Sequence, residues 1–156
     1  MKANTLTTTT LFRAGLLVGF LDGMAAVIQT ILNHGDPVKV FQFIASGVFG
    51  AKALAGGDAM AMAGVLFHFA IAFTWTLIFF LIYPRLKLLS WNWVITGIVY
   101  GLVIWVGMNL IVVPLSNIGM RTITLRGFLI SSSILMVAIG LPLSFLANRH
   151  YRSARK

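Results

Sequence analysis

The stretch that decides the fold is residues 36–58, which read DPVKVFQFIASGVFGAKALAGGD. It opens with Asp36 before Pro37, a helix N-cap followed by proline at the first helical position. It closes with Gly56 and Gly57, and glycines at this place stop helices. These signals predict a helix over residues 37–55.

The same stretch has two unlike sides when it is drawn as a helix. One side carries the polar and small residues Lys39, Gln42, Ser46 and Gly50, and the other carries Phe41, Ile44 and Val48. This pattern predicts an amphipathic helix that lies on a membrane or dips into it.

The other long segments are more apolar than this stretch. Of the 156 residues of the whole chain, 59% are hydrophobic and 10% are charged, whereas soluble domains carry roughly 25% charged residues. Crossing a bilayer takes ~20 apolar residues, and four segments reach that length, at 11–33, 59–83, 91–113 and 123–147. We expect one all-α integral membrane domain over residues 1–156, with four transmembrane helices and the amphipathic (or re-entrant) helix between the first two. Asp22 interrupts the first apolar run, which favours an uncleaved helix over a signal peptide.

The basic residues indicate the orientation. The formal net charge is +9, but no basic face carries interleaved aromatic residues, so nucleic acid is not an expected partner. Eight Lys and Arg fall on one side of the predicted topology, namely Lys2, Arg13, Arg85, Lys87, Arg149, Arg152, Arg155 and Lys156. Four fall on the other, namely Lys39, Lys52, Arg121 and Arg126. The positive-inside rule then places both termini in the cytoplasm and the amphipathic helix outside, with membrane lipids as partners.

Polar residues form a seam between the first two spanning helices. In helix 1, alternating steps of four and three put six residues on one face: Gly15, Gly19, Asp22, Ala26, Gln29 and Asn33. Counted from the outer end, Asp22 and His68 of helix 2 fall at about the same depth. An ionisable group in the middle of a membrane is a candidate functional group. The two residues are therefore either a proton-linked or ligand-polarising pair, or a structural hydrogen bond that fixes helix packing.

Three further polar residues are candidates for a translocation path or a ligand site. Asn109 is expected near the depth of Gln29, where an amide is either a contact between helices or a ligand. Arg126 either extends to the lipid headgroups or faces inward towards an anion or Asp22. His34, Asp36 and Asp58 cluster on the outer side, and helix capping explains them better than a metal site.

Most catalytic chemistry is absent from the sequence. There is no cysteine and no glutamate, and no metalloprotease, nucleophile-elbow or phosphate-binding-loop motif occurs. His68 is the only histidine at membrane depth, so a haem held by two histidines of one chain is not expected. We therefore expect no enzyme, cofactor or metal.

Part of the chain resembles a known family. The residues from Gly64 to Leu115 contain GVLFH, then YPRLKL with Trp91 shortly after, then GIVYG and VPL. This resembles the YagU-like group of small bacterial inner-membrane proteins. The resemblance implies a bacterial inner-membrane location and attaches no role to any residue.

Two functions follow from these patterns. The first is a small homo-oligomeric bundle that translocates protons, ions or a small solute and uses Asp22, His68, Gln29, Asn109 and Arg126. The alternative is a non-enzymatic module that binds lipid or a protein partner through Lys39, Gln42 and Lys52 of the amphipathic helix.

Overall fold

The computed structural model describes residues 8–85 and 92–153, and these residues form helices and short connections without any strand. Helix α1 is Thr8–Leu32, and α2 is Pro37–Phe49, which a 3₁₀ segment, Gly50–Ala55, follows. Helix α3 is Gly57–Ile82. Helix α4 is Trp93–Leu115, with a π-helical segment at Met108–Val112. Helix α5 begins with Leu125–Leu135, widens into a π segment at Met136–Gly140 and ends as Leu141–Ser153.

Polar side chains cap the beginnings of α2, α4 and α5. Asp36 accepts a hydrogen bond from the Val38 amide (2.9 Å), which confirms the cap predicted from the sequence. Asn92 caps α4 and Thr124 caps α5 in the same way. The predicted start of this segment at residue 91 lies outside the described residues.

The last helix is longer than predicted, because it continues to Ser153 instead of ending at residue 147. Tyr151 explains the extension, since its hydroxyl donates to the Phe80 carbonyl oxygen (3.0 Å) and its ring stacks on Tyr83. These contacts place the end of α5 beside the end of α3, and Phe12 near the start of α1 stacks on Phe73 towards the same end of the bundle.

The long helices run alternately up and down. Gly15 of α1 faces Phe73 of α3, while Gly23 faces His68, so the two helices are antiparallel. Between α4 and α5 the backbones touch, and a Cβ atom on Gly97 would lie 2.8 Å from the Gly140 carbonyl oxygen. The small residues that the sequence offers at this face therefore do bring two helices into direct contact.

The segment after α1 is a hairpin and not a straight helix. The Lys39 ammonium donates to the Leu54 carbonyl oxygen (2.8 Å), and the Gln42 amide donates to the Gly57 carbonyl oxygen (3.0 Å). Fifteen residues of straight α-helix would separate such partners by about 22 Å. Gly50 has φ +71°, a conformation that favours glycine, and turns the chain back. Both ends of this hairpin, residues 37–57, consequently lie at the same end of the helix bundle.

The polar side of α2 faces the protein interior. Gln42 and Ser46 are 3% and 5% exposed, while Val48 is 55% exposed. A helix lying flat on a membrane would turn its polar side to water. In this structure Gln42 donates to the Gly57 carbonyl oxygen at the start of α3, and the Ser46 hydroxyl donates to the Phe43 carbonyl oxygen of its own helix.

Each π segment ends two residues before a proline. Pro114 and Pro142 have no N–H to donate, and each ring crowds the carbonyl group four residues earlier. Directly before them, the Val113 amide bonds to the Met108 oxygen and the Leu141 amide to the Met136 oxygen, each five residues back. The wider turns keep these backbone groups paired.

The outer surface is apolar. Large side chains are exposed along every long helix, including Phe20 (60%), Leu66 (71%) and Val137 (65%). Five segments of the described residues are long and apolar enough to cross a membrane: Thr8–Leu32, Pro37–Ala55, Gly57–Ile82, Trp93–Leu115 and Leu125–Tyr151.

Candidate functional site

A cavity of about 390 Å³ lies between the hairpin and the four long helices. Its walls are mostly apolar, and among the described residues its only ionisable side chains are Asp22 and His68. Its ionisable, aromatic and sulfur-containing lining residues include Asp22, Phe43, Phe67, His68, Trp75 and Met108. Cavities of this size and apolar character are typical of small-molecule sites.

His68 is held against the backbone of α1. It is 8% exposed, and its Nε2 atom lies 2.8 Å from the Gly19 carbonyl oxygen. Because a carbonyl oxygen only accepts, this nitrogen carries the hydrogen and donates it. A Cβ atom on Gly23 would lie 3.2 Å from the same nitrogen, so the absence of a side chain at Gly23 leaves room for the imidazole against α1.

Asp22 is half-buried between these two glycines on α1 and faces the cavity. Its carboxylate interacts electrostatically with His68. Within residues 8–85 and 92–153, no hydrogen bond joins the two side chains. The structure thus brings the two predicted residues to one wall of the cavity, while the imidazole N–H is given to Gly19.

Aromatic side chains form much of the remaining wall. Phe43 comes from the hairpin, and Phe67 and Trp75 come from α3. The Trp75 indole N–H donates to the Met108 sulfur (3.3 Å). The indole is therefore fixed in place across the contact between α3 and α4.

The other predicted path residues do not line this cavity. Gln29 is half-buried on α1, near the C-terminal end of that helix. The Asn109 amide donates to the Trp105 carbonyl oxygen of its own helix (3.0 Å). Arg126 is exposed in the first turn of α5. Of the hairpin residues, Gln42 is buried, and Lys39 and Lys52 are exposed.

The sequence reasoning missed the wall that the hairpin provides. Gly47 and Val48 line the cavity, and their carbonyl oxygens accept hydrogen bonds from Asn117, from its backbone amide (3.0 Å) and its side chain (2.7 Å) respectively. Asn117 lies in the connection between α4 and α5. The stretch 116–119, which reads SNIG, marked this connection only as a loop.

Of the three residues His34, Asp36 and Asp58, at least one has a structural role, because Asp36 caps α2. Asp58 lies in the first turn of α3, where a negative charge favours the helix dipole. In the described part of the chain, no three His or Asp side chains are placed to hold a metal ion.

Comparisons of this chain with protein-family models, with curated proteins and with solved structures gave no match.

Proposed function

We propose that this chain is an integral membrane protein that translocates a small solute or protons through the cavity between its helices, with Asp22 and His68 as the working groups. The observation that carries the proposal is that two ionisable residues, the only ones among the described residues that line the cavity, lie on one wall in the middle of long apolar helices. Ionisable side chains are costly inside a membrane, and where they occur they mark translocation paths and ligand sites.

The proposed topology has four spanning helices, α1, α3, α4 and α5, with residues 37–57 as a re-entrant hairpin. Four antiparallel helices and the exposed apolar side chains support the spans. The hydrogen bond from Lys39 to Leu54 supports the hairpin, because its two ends stay together. The excess of Lys and Arg at the end that carries both termini supports a cytoplasmic location for that end, in a bacterial inner membrane.

In the proposed mechanism the hairpin acts as the gate, because its movement would open the cavity. It contributes a wall of the cavity, and Asn117 attaches the end of α2 to the connection between α4 and α5. Three residues with positive φ flank or divide it, namely His34, Gly50 and Gly57. Releasing the two hydrogen bonds of Asn117 would free the end of α2 from the connection between α4 and α5, while the contact of Phe41 with Gly64 keeps the beginning of α2 on α3.

The alternative function, in which the hairpin binds a partner, receives less support. Lys39 and Gln42 already donate hydrogen bonds within the chain. A docking surface built on these two residues would have to break those bonds first.

The test is proton flux into liposomes that contain the purified protein and a trapped pH-sensitive dye. We expect wild type to dissipate an imposed pH gradient faster than empty liposomes. Asp22→Asn should abolish the difference. Asp58→Asn is the matched control, because Asp58 is exposed and outside the cavity, and it should behave as wild type. Equal rates in wild-type and empty liposomes would refute proton translocation.

A further inference from the structure

We infer that the cavity binds a small organic cation, an ammonium group carried on an apolar body. The inference rests on the proposed function, because it names the solute class for the same site. A cavity of ~150 Å³ holds one benzene molecule, so 390 Å³ holds a body of roughly two rings.

The charge of the cavity selects a cation. Asp22 supplies a carboxylate, which only accepts hydrogen bonds, and no Lys or Arg of the described chain lines the cavity. His68 lies beside this carboxylate and interacts with it electrostatically, but its Nε2–H group donates to the Gly19 carbonyl oxygen. A carboxylate among apolar walls therefore gains from a cation placed directly against it. A bound ammonium group supplies that charge, whereas a bound anion would add repulsion.

The aromatic wall selects an ammonium group that carries apolar substituents. Aromatic ring faces attract cations, and most strongly where water is excluded. Phe67 and Trp75 line the cavity, and the indole N–H is satisfied by Met108, so the ring surface is left for the ligand. Phe43 already makes a cation–π contact of this kind, because the Arg121 guanidinium carbon lies 4.8 Å from the centroid of its ring.

The experiment compares three probes of one shape by equilibrium dialysis against the full chain in maltoside micelles, with protein-free micelles as reference. The probes are benzyltrimethylammonium, its neutral carbon isostere neopentylbenzene, and the anion benzylsulfonate. Maltoside carries neither a charge nor an ammonium group, so the detergent does not compete. The sulfonate should bind no more than to the reference.

The cation should bind saturably. Asp22→Asn should weaken cation binding at least tenfold and leave the neutral isostere unchanged. Asp22→Glu keeps the charge and should keep the preference for the cation, which separates the charge from any effect on folding. Phe67→Leu should weaken the cation more than the neutral isostere, and Asp58→Asn should change neither.

Two results would overturn the inference: equal binding of all three probes, or cation binding that Asp22→Asn leaves intact. Adding a choline phospholipid distinguishes a lipid headgroup from a free solute as the source of the ammonium, since a headgroup ligand would displace the probe. Cation binding without proton flux would keep this ligand class and refute proton translocation, and flux without cation binding would do the reverse.

Discussion

Replacing Gly64 by alanine should detach the hairpin from α3. A Cβ atom at Gly64 would collide with the Phe41 carbonyl oxygen and lie 2.9 Å from the Phe41 Cα atom. The obstacle is backbone, and hydrogen bonds anchor that backbone on either side of the contact, so it cannot turn aside as a flexible side chain would. Overpacking of this kind costs roughly 1–3 kcal/mol, and the upper end applies to a rigid obstacle.

The helix preference of alanine offsets part of that loss. Alanine is favoured over glycine inside a helix by about 1 kcal/mol, so Gly64→Ala should lower the free energy of unfolding by about 2 kcal/mol. Gly47→Ala is the matched control on α2, because its Cβ atom would meet only ordinary contacts, 3.6 Å from Ile118 and Ser116. That variant should gain up to about 1 kcal/mol.

The assay is unfolding in maltoside micelles by increasing fractions of sodium dodecyl sulfate, followed by far-ultraviolet circular dichroism. Gly64→Ala should unfold at a lower fraction than wild type, and Gly47→Ala at an equal or higher one. If Gly64→Ala unfolds together with Gly47→Ala, the close contact between α2 and α3 is refuted, and with it the hairpin geometry.

Three further predictions concern the cap, the gate and the topology. Asp36→Ala removes the side chain that holds the Val38 amide and should cost about 1 kcal/mol in the same unfolding assay; no loss would show that the cap is not formed. Asn117→Ala should raise the rate at which a cysteine placed at Ile44 reacts with a water-soluble thiol reagent, because the hairpin loses its attachment, and an unchanged rate would refute the gate. Because the chain has no cysteine of its own, Asp58→Cys and Arg85→Cys can be labelled singly with a membrane-impermeant maleimide in cells whose outer membrane is permeable to it. Only Asp58→Cys should react before the inner membrane is permeabilised, and the opposite result would invert the topology.

The helices could be predicted from the sequence because length and apolar character alone define them. The structure has helices over the four predicted long segments, with ends that differ by a few residues. The exception is the end of α5, which depends on Tyr151 reaching Phe80, a contact between residues 71 positions apart. Hydropathy contains no information about such a contact.

The hairpin shows the limit of periodicity. The pattern of Lys39, Gln42 and Ser46 indicates a helix with one polar side, but it does not say whether that side meets water or a buried carbonyl group. The structure chooses the second arrangement, since Gln42 bonds to Gly57. Gly50, which was part of the polar side in projection, is the residue at which the helix ends.

The candidate site was predicted in part. Counting residues from the outer end brought Asp22 and His68 to one depth, and the structure places both on one cavity wall. Counting could not show that the His68 N–H donates to the Gly19 carbonyl oxygen, because that depends on the close approach of α3 to α1 beside Gly23. The resemblance to the YagU-like proteins stays a prediction.

The size of the cavity is itself an argument for an occupant. An apolar cavity that stays empty costs stability, because its lining residues lack packing partners on one side. Side chains one size larger at Ala26, Ala70 or Ala72 would fill part of this space, yet alanine stands at each of these lining positions. A fold that keeps the space open therefore gains from something that enters it. Asp22 decides the nature of that occupant, because a lipid chain would fill the volume but bring no positive charge to the carboxylate, whereas an organic cation would do both.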